Sequence, residues 1–160
     1  MKKLGFKNGF TLIETIVAVG VITIGLVSAL TLISYSLFYV SNINDRLIAA
    51  NLVAEGLEVV RNIRDNNWLQ SLSWNNGLAN GDYQVSYNSI ALSPYSGNPL
   101  LFNASGGIYN YSSGTNTYYV RKVSISNISS YEMRVISTVT WQRRGVVYSN
   151  SAEDHLFNWK

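Results

Sequence analysis

The sequence predicts an α+β fold, a long N-terminal α-helix packed on a small antiparallel β-sheet. Three observations carry this. No charged residue occurs between Thr15 and Asn44, a run of 30 positions. Apolar residues then recur in three- and four-residue steps at Ile43, Leu47, Ala50, Ala54 and Leu57, the spacing of an amphipathic helix. Towards the C-terminus, Met133, Val135, Val139 and Trp141 fall on one face of a period-two pattern, as in a half-buried strand.

The uncharged run exceeds the ~20 apolar residues that a membrane-spanning helix needs. Residues 1–9 precede it as a short basic leader, in which Lys2, Lys3 and Lys7 favour the cytoplasmic side. Residues 10–40 then form a transmembrane half of the helix, 41–67 an amphipathic half, and 68–160 a β-rich globular domain. Glu14 stands at the mouth of the apolar run, where a carboxylate is costly without a partner. Cleavage after Gly9 supplies one. The freed α-amino group of Phe10 is cationic at neutral pH, and Phe10 and Glu14, four apart, share a helix face. A helix N-terminus also favours an acidic side chain.

Gly9-Phe10-Thr11-Leu12-Ile13-Glu14, behind its basic leader, resembles the prepilin processing motif of type IV pilins and type II secretion pseudopilins. The resemblance implies cleavage between Gly9 and Phe10 by a prepilin peptidase, followed by N-methylation of Phe10. It also implies that Glu14 pairs with the Phe10 amine of a neighbouring subunit as helices stack into a filament. Two plainer readings compete with it. One is a secretory signal peptide cut after Val27-Ser28-Ala29, though an acid just before the apolar core and the continuing helix pattern argue against it. The other is a single-pass anchor that is never processed.

Composition narrows the function classes. The net charge of +3 belongs to the leader, because without Lys2, Lys3 and Lys7 nine basic residues face nine acidic ones. A near-neutral chain has little electrostatic affinity for nucleic acid, which is therefore not expected as a main partner. With no cysteine, the outer domain has no disulfide and no thiol chemistry. Many pilins close a C-terminal loop with a disulfide. Pseudopilins and many minor pilins do not.

The helix is expected from Phe10 to about Arg64, roughly 80 Å at 1.5 Å per residue, with Asp65-Asn66-Asn67 as its stop. Asp45, Arg46, Glu55, Glu58 and Arg61 are assigned to its solvated side, with Glu58 and Arg61 able to pair three apart. No proline interrupts the apolar half; Gly20 and Gly25 are its only weak points. The stretch from Ala50 to Trp68 resembles the helix-end region of the minor pilin and pseudopilin group that sits at filament tips. Residues 75–117 are rich in Asn, Gly, Ser and Tyr, with turn signals throughout. One strand is expected from Tyr83 to Ile90, and a hairpin from Ile108 across Ser113-Gly114 to Val120. An antiparallel meander follows, with strands over Tyr119–Asn127, Glu132–Trp141 and Val146–Ser149, joined by turns at Ser129-Ser130 and at Gln142-Arg143-Arg144-Gly145. Leu156, Phe157 and Trp159 are expected to cover an edge of the core.

No catalytic constellation emerges. His155 is the sole histidine, and its neighbours Glu153 and Asp154 make an exposed polar segment rather than a metal site. Ser105-Gly106-Gly107 is followed by Ile108-Tyr109 and not by the lysine of a phosphate loop. Arg143-Arg144 reads as a solvated turn. Three Asn-x-Ser sequons, at Asn103, Asn110 and Asn127, are coincidental in a bacterial-type chain.

The resulting expectation is a non-enzymatic structural subunit, minor rather than major, of a type IV pilus or secretion-type pseudopilus, with no cofactor and no metal. Its partners are other pilin or pseudopilin subunits, the prepilin peptidase, the assembly machinery and, before assembly, membrane lipid. It sits in the cytoplasmic membrane with its C-terminal domain outside, and later in a filament at the cell surface or in the periplasm. The alternative is a membrane-anchored extracytoplasmic binding module. Glu14 separates the two, since a tether has no use for it.

Overall fold

In the computed structural model, residues 9–159 are described. The leader residues Lys2, Lys3 and Lys7 lie outside them. One α-helix, α1, runs from Leu12 to Leu69, and eight strands follow. The chain divides into two compact units at Asn44/Asp45.

The first unit is the apolar part of α1, and its large side chains from Leu12 to Val40 are exposed except for the half-buried Phe38. Its hydroxyls are turned back onto their own helix. Thr23 donates to the Gly20 carbonyl at 2.8 Å, Ser28 to Ile24 at 2.8 Å, Thr31 to Val27 at 2.8 Å and Ser34 to Leu30 at 2.9 Å. Each of these four hydroxyls is thereby satisfied without a neighbour, as a hydrocarbon environment requires. The helix continues unbroken through Gly20 and Gly25.

The second unit contains the rest of α1 and two antiparallel sheets. The larger has five strands in the order β2 (Ser93–Pro94), β1 (Gly81–Gln84), β6 (Val120–Asn127), β7 (Glu132–Arg143) and β8 (Val146–Phe157). The smaller has β4 (Ile108–Asn110), β3 (Leu101–Asn103) and β5 (Thr115–Asn116), with β3 in the middle. α1 lays one face on the large sheet. Val59, Val60 and Ile63 pack with Leu78, Val85, Val123, Met133 and Val135, while Ala49, Leu52 and Val53 pack with Leu100, Tyr119, Val139 and Trp141.

Several expectations are corrected. The buried face of α1 is Asp45, Ala49, Leu52, Val53, Gly56, Val59, Val60 and Ile63. The stripe read from the sequence lies off this face: Ile43, Leu47, Ala50 and Ala54 are exposed and Leu57 is half-buried. Both rows step by three and four, so periodicity alone does not choose between them. The sheet chooses the row with the glycine. The helix also passes the expected stop. Asn67 is buried within it and donates from Nδ2 to the carbonyls of Trp74 at 3.1 Å and Asn76 at 2.9 Å, tying down the chain that leaves the helix.

Of the strand expected from Tyr83 to Ile90, only Tyr83 and Gln84 are in a strand, as the end of β1 (Gly81–Gln84). The Ile108–Val120 hairpin does not form. β4 and β5 both pair with β3 instead, at Phe102↔Tyr109 and Phe102↔Thr115. The meander holds, with β8 extended to Phe157 so that Leu156 is a core residue rather than an edge cover. Phe157 and Trp159 are largely exposed, although Trp159 packs edge-on against Trp68. The β7–β8 turn has two central residues at positive φ, Arg144 (49°) and Gly145 (80°), as a two-residue hairpin of the primed type requires.

Candidate functional site

The N-terminal segment meets α1 at Thr11. Glu14 donates its backbone N–H to Thr11 Oγ1 at 3.3 Å, and Thr11 donates its own N–H to Glu14 Oε2 at 3.4 Å. This reciprocal pair is a capping box, which satisfies two amide donors that the helix start would otherwise leave unpaired. Thr11-x-x-Glu14 is its sequence signature, and it was legible without coordinates. Glu14 thus has a local task in the unprocessed chain, one that the charge-pair reading alone does not supply. Gly9 and Phe10 precede the helix in exposed, non-helical backbone, with Phe10 82% exposed. An accessible, irregular segment immediately before a capped helix is what a peptidase can take into its site.

Residues 6–30 match the family model of the prokaryotic N-terminal methylation motif. The chain carries the type IV pilin and pseudopilin signature. No curated protein and no solved structure gives a significant match. The motif supports a type IV pilin-like or pseudopilin precursor processed by a prepilin peptidase. The apolar helix behind it fits a membrane-anchored precursor. A long apolar helix on antiparallel sheets is also the pilin-like architecture.

The globular unit clasps its helix through three polar contacts, and all of them involve residues assigned from sequence to the solvated side or to a solvated turn. Asp45 is 3% exposed and accepts hydrogen bonds from Tyr118 Oη at 2.7 Å, from Tyr119 Oη at 3.1 Å and from the Arg143 guanidinium. Burial pushes its carboxyl up, but the bonds from Tyr118, Arg143 and Tyr119 outweigh that and hold it below the usual carboxylate value. Burial and the adjoining Tyr118 push the Tyr119 hydroxyl strongly upward, so it remains a donor.

Glu55 accepts from Arg121 at 2.7 Å, and Arg121, fully buried, also donates to the carbonyls of Leu52 and Val85. Gly56 lies against this arginine. A Cβ there would overlap the Ser137 hydroxyl and stand 3.3 Å from Arg121 Cδ. At the acid-glycine step the helix therefore approaches the sheet too closely for a Cβ. Arg61 joins Glu58 on its own helix to Asp154 on β8 at 2.7 Å. The sequence gives the residue types of these clasps. It does not give the strand residues that meet them, because those are 66 to 98 positions away.

Proposed function

We propose that this chain is a minor subunit of a type IV pilus or of a type II secretion-like pseudopilus. The observation that carries the reading is the methylation motif over residues 6–30, with Glu14 set five residues after Gly9. The prepilin peptidase cuts between Gly9 and Phe10, and the Phe10 amine is methylated. The subunit waits in the cytoplasmic membrane, held in lipid by its apolar helix and with the globular domain outside. The assembly machinery then moves it into the filament. There Glu14, released from a capping role that the new N-terminus alters, pairs with the cationic amine of Phe10 on a neighbouring subunit. That pairing offsets the cost of carrying a carboxylate into an apolar helix bundle. The likeness of Ala50–Trp68 to the tip-located group, and the absence of cysteine, support the minor assignment.

The test compares two substitutions. Glu14→Leu removes both the cap and the charge, whereas Glu14→Gln keeps a side chain suited to the capping box and removes only the charge. Both variants are expected to insert into the membrane and to be absent from sheared filaments. Normal incorporation of Glu14→Gln would sink the charge-pair reading.

A further inference from the structure

The β7–β8 ladder builds a small cleft within the second unit. Trp141 stands directly opposite Tyr148 in the register, and their rings stack with centroids 5.7 Å apart and 20° between planes. Ser149 and Asn150 follow on β8, and Arg46 of α1 completes the wall of a cavity of about 240 Å³. All five residues belong to the second unit. The backbone of Arg46 is held in place through its neighbour Asp45, which Arg143, Tyr118 and Tyr119 grip from the sheet.

The cleft lacks a negative charge. No carboxylate lines it. Of the nine acids in the chain, all but Glu14 lie in residues 45–160, and each of those eight is within ion-pair distance of a basic side chain of the same unit. Arg46 has no such partner among the described residues. Trp141 is 3% exposed, and its indole N–H finds no acceptor among them either, although a buried polar group ordinarily has one. Water satisfies the indole alone. A carboxylate, with two acceptor oxygens, satisfies the indole and the arginine together. Another molecule must supply it, because a second copy of this domain has no carboxylate to spare.

We propose that this cleft binds a single carboxylate group presented by a different molecule. One carboxylate oxygen accepts from the Trp141 indole N–H and the other from the Arg46 guanidinium, whose planar fork matches a carboxylate. The Trp141–Tyr148 pair takes the apolar stem behind the carboxylate, and the neutral Ser149 and Asn150 complete the rim. One cation beside an aromatic wall suits a monoanion with an apolar stem better than a phosphate. A free acid and an acidic side chain of another protein present the same group. Such binding is independent of how the N-terminus is processed.

The four tryptophans give four indole N–H signals in NMR spectra of the full chain in detergent micelles, and that of Trp141 reports binding directly. The chain is titrated at constant ionic strength with acetyl-Gly-Glu-Gly-amide, whose one carboxylate is a side chain, with acetate, and with acetyl-Gly-Gln-Gly-amide. The Trp141 signal is expected to move downfield and saturate with the glutamate peptide and with acetate, and to stay in place with the glutamine peptide. The other three indoles serve as controls. A tighter response to the glutamate peptide assigns the carboxylate to a protein side chain, and an equal or tighter response to acetate assigns it to a free acid. Arg46 is exposed, so Arg46→Gln leaves the fold intact, and it should weaken binding about tenfold. Arg46→Lys should fall between the two, because it keeps the charge without the fork. A Trp141 signal that ignores both carboxylates, answers the glutamine peptide equally, or titrates unchanged in Arg46→Gln overturns the proposal.

Discussion

Asp45 on α1 and Arg143 at the end of β7 form an ion pair across 98 positions of sequence, with Tyr118 and Tyr119 donating to the same carboxylate. The first charged residue after the apolar run is thus one of the points at which the sheet grips the helix. Removing one partner of a buried, hydrogen-bonded charge strands the others. Asp45→Ala should cost about 3 kcal/mol, a fall in Tm on the order of 10 °C for the full chain in detergent. A melting temperature within a degree or so of the parent would contradict the assignment.

The same pair sets an acid limit. The Asp45 carboxyl is held below its ordinary value of 3.8 in the folded state. Its contribution is therefore complete above that value and is lost as pH falls through the lower, folded one. Melts taken from neutral pH down through the carboxylate range should show an acid-dependent loss that is reduced in Asp45→Asn. Parallel curves for the two proteins would show that other carboxylates govern the transition.

Gly56 is required by close approach rather than by backbone conformation, since it lies inside a regular helix. Gly56→Ala improves intrinsic helix propensity by about 1 kcal/mol, yet it drives a methyl group into Ser137 and Arg121. Overpacking of this kind costs roughly 1–3 kcal/mol and outweighs the propensity gain. Gly56→Ala should be destabilised and Gly56→Val more so. If alanine stabilises the protein in denaturant titrations, the helix and sheet are farther apart than described.

His155 lies between two carboxylates, with Nδ1 at 2.7 Å from Glu132 and Nε2 at 3.0 Å from Glu153. The bond to Glu132 and then that to Glu153 raise its pKa above the ordinary 6.5. For a raised pKa the added stability is fully present below 6.5 and is lost as pH rises through the higher folded value. As the sole histidine, it gives one set of imidazole signals in an NMR titration. The midpoint is expected above 6.5, moving down in Glu132→Gln. A midpoint at or below 6.5 would rule out the bridge.

Much of this architecture was readable from local pattern. The long helix, the β6–β8 meander and the tight connection at Gln142-Arg143-Arg144-Gly145 each rest on residues adjacent or nearly adjacent in sequence. What was lost is what depends on distant partners. Asp45 and Glu55 look solvated until Arg143 and Arg121 are brought to them by the sheet. β3 was missed because three residues in an Asn- and Ser-rich stretch carry no period of their own, and its neighbours were then paired with each other. At Glu14 the sequence reading considered the charge alone. The Thr11–Glu14 box shows that it also shapes the first turn.

The measurement that tests the central claim most directly is the mass of the chain's N-terminal peptide, recovered from the native membrane or from sheared surface material. A chain beginning at N-methylated Phe10 is the predicted result. A chain beginning at Leu30 would contradict it in favour of ordinary secretion, and an intact leader in favour of a plain membrane anchor.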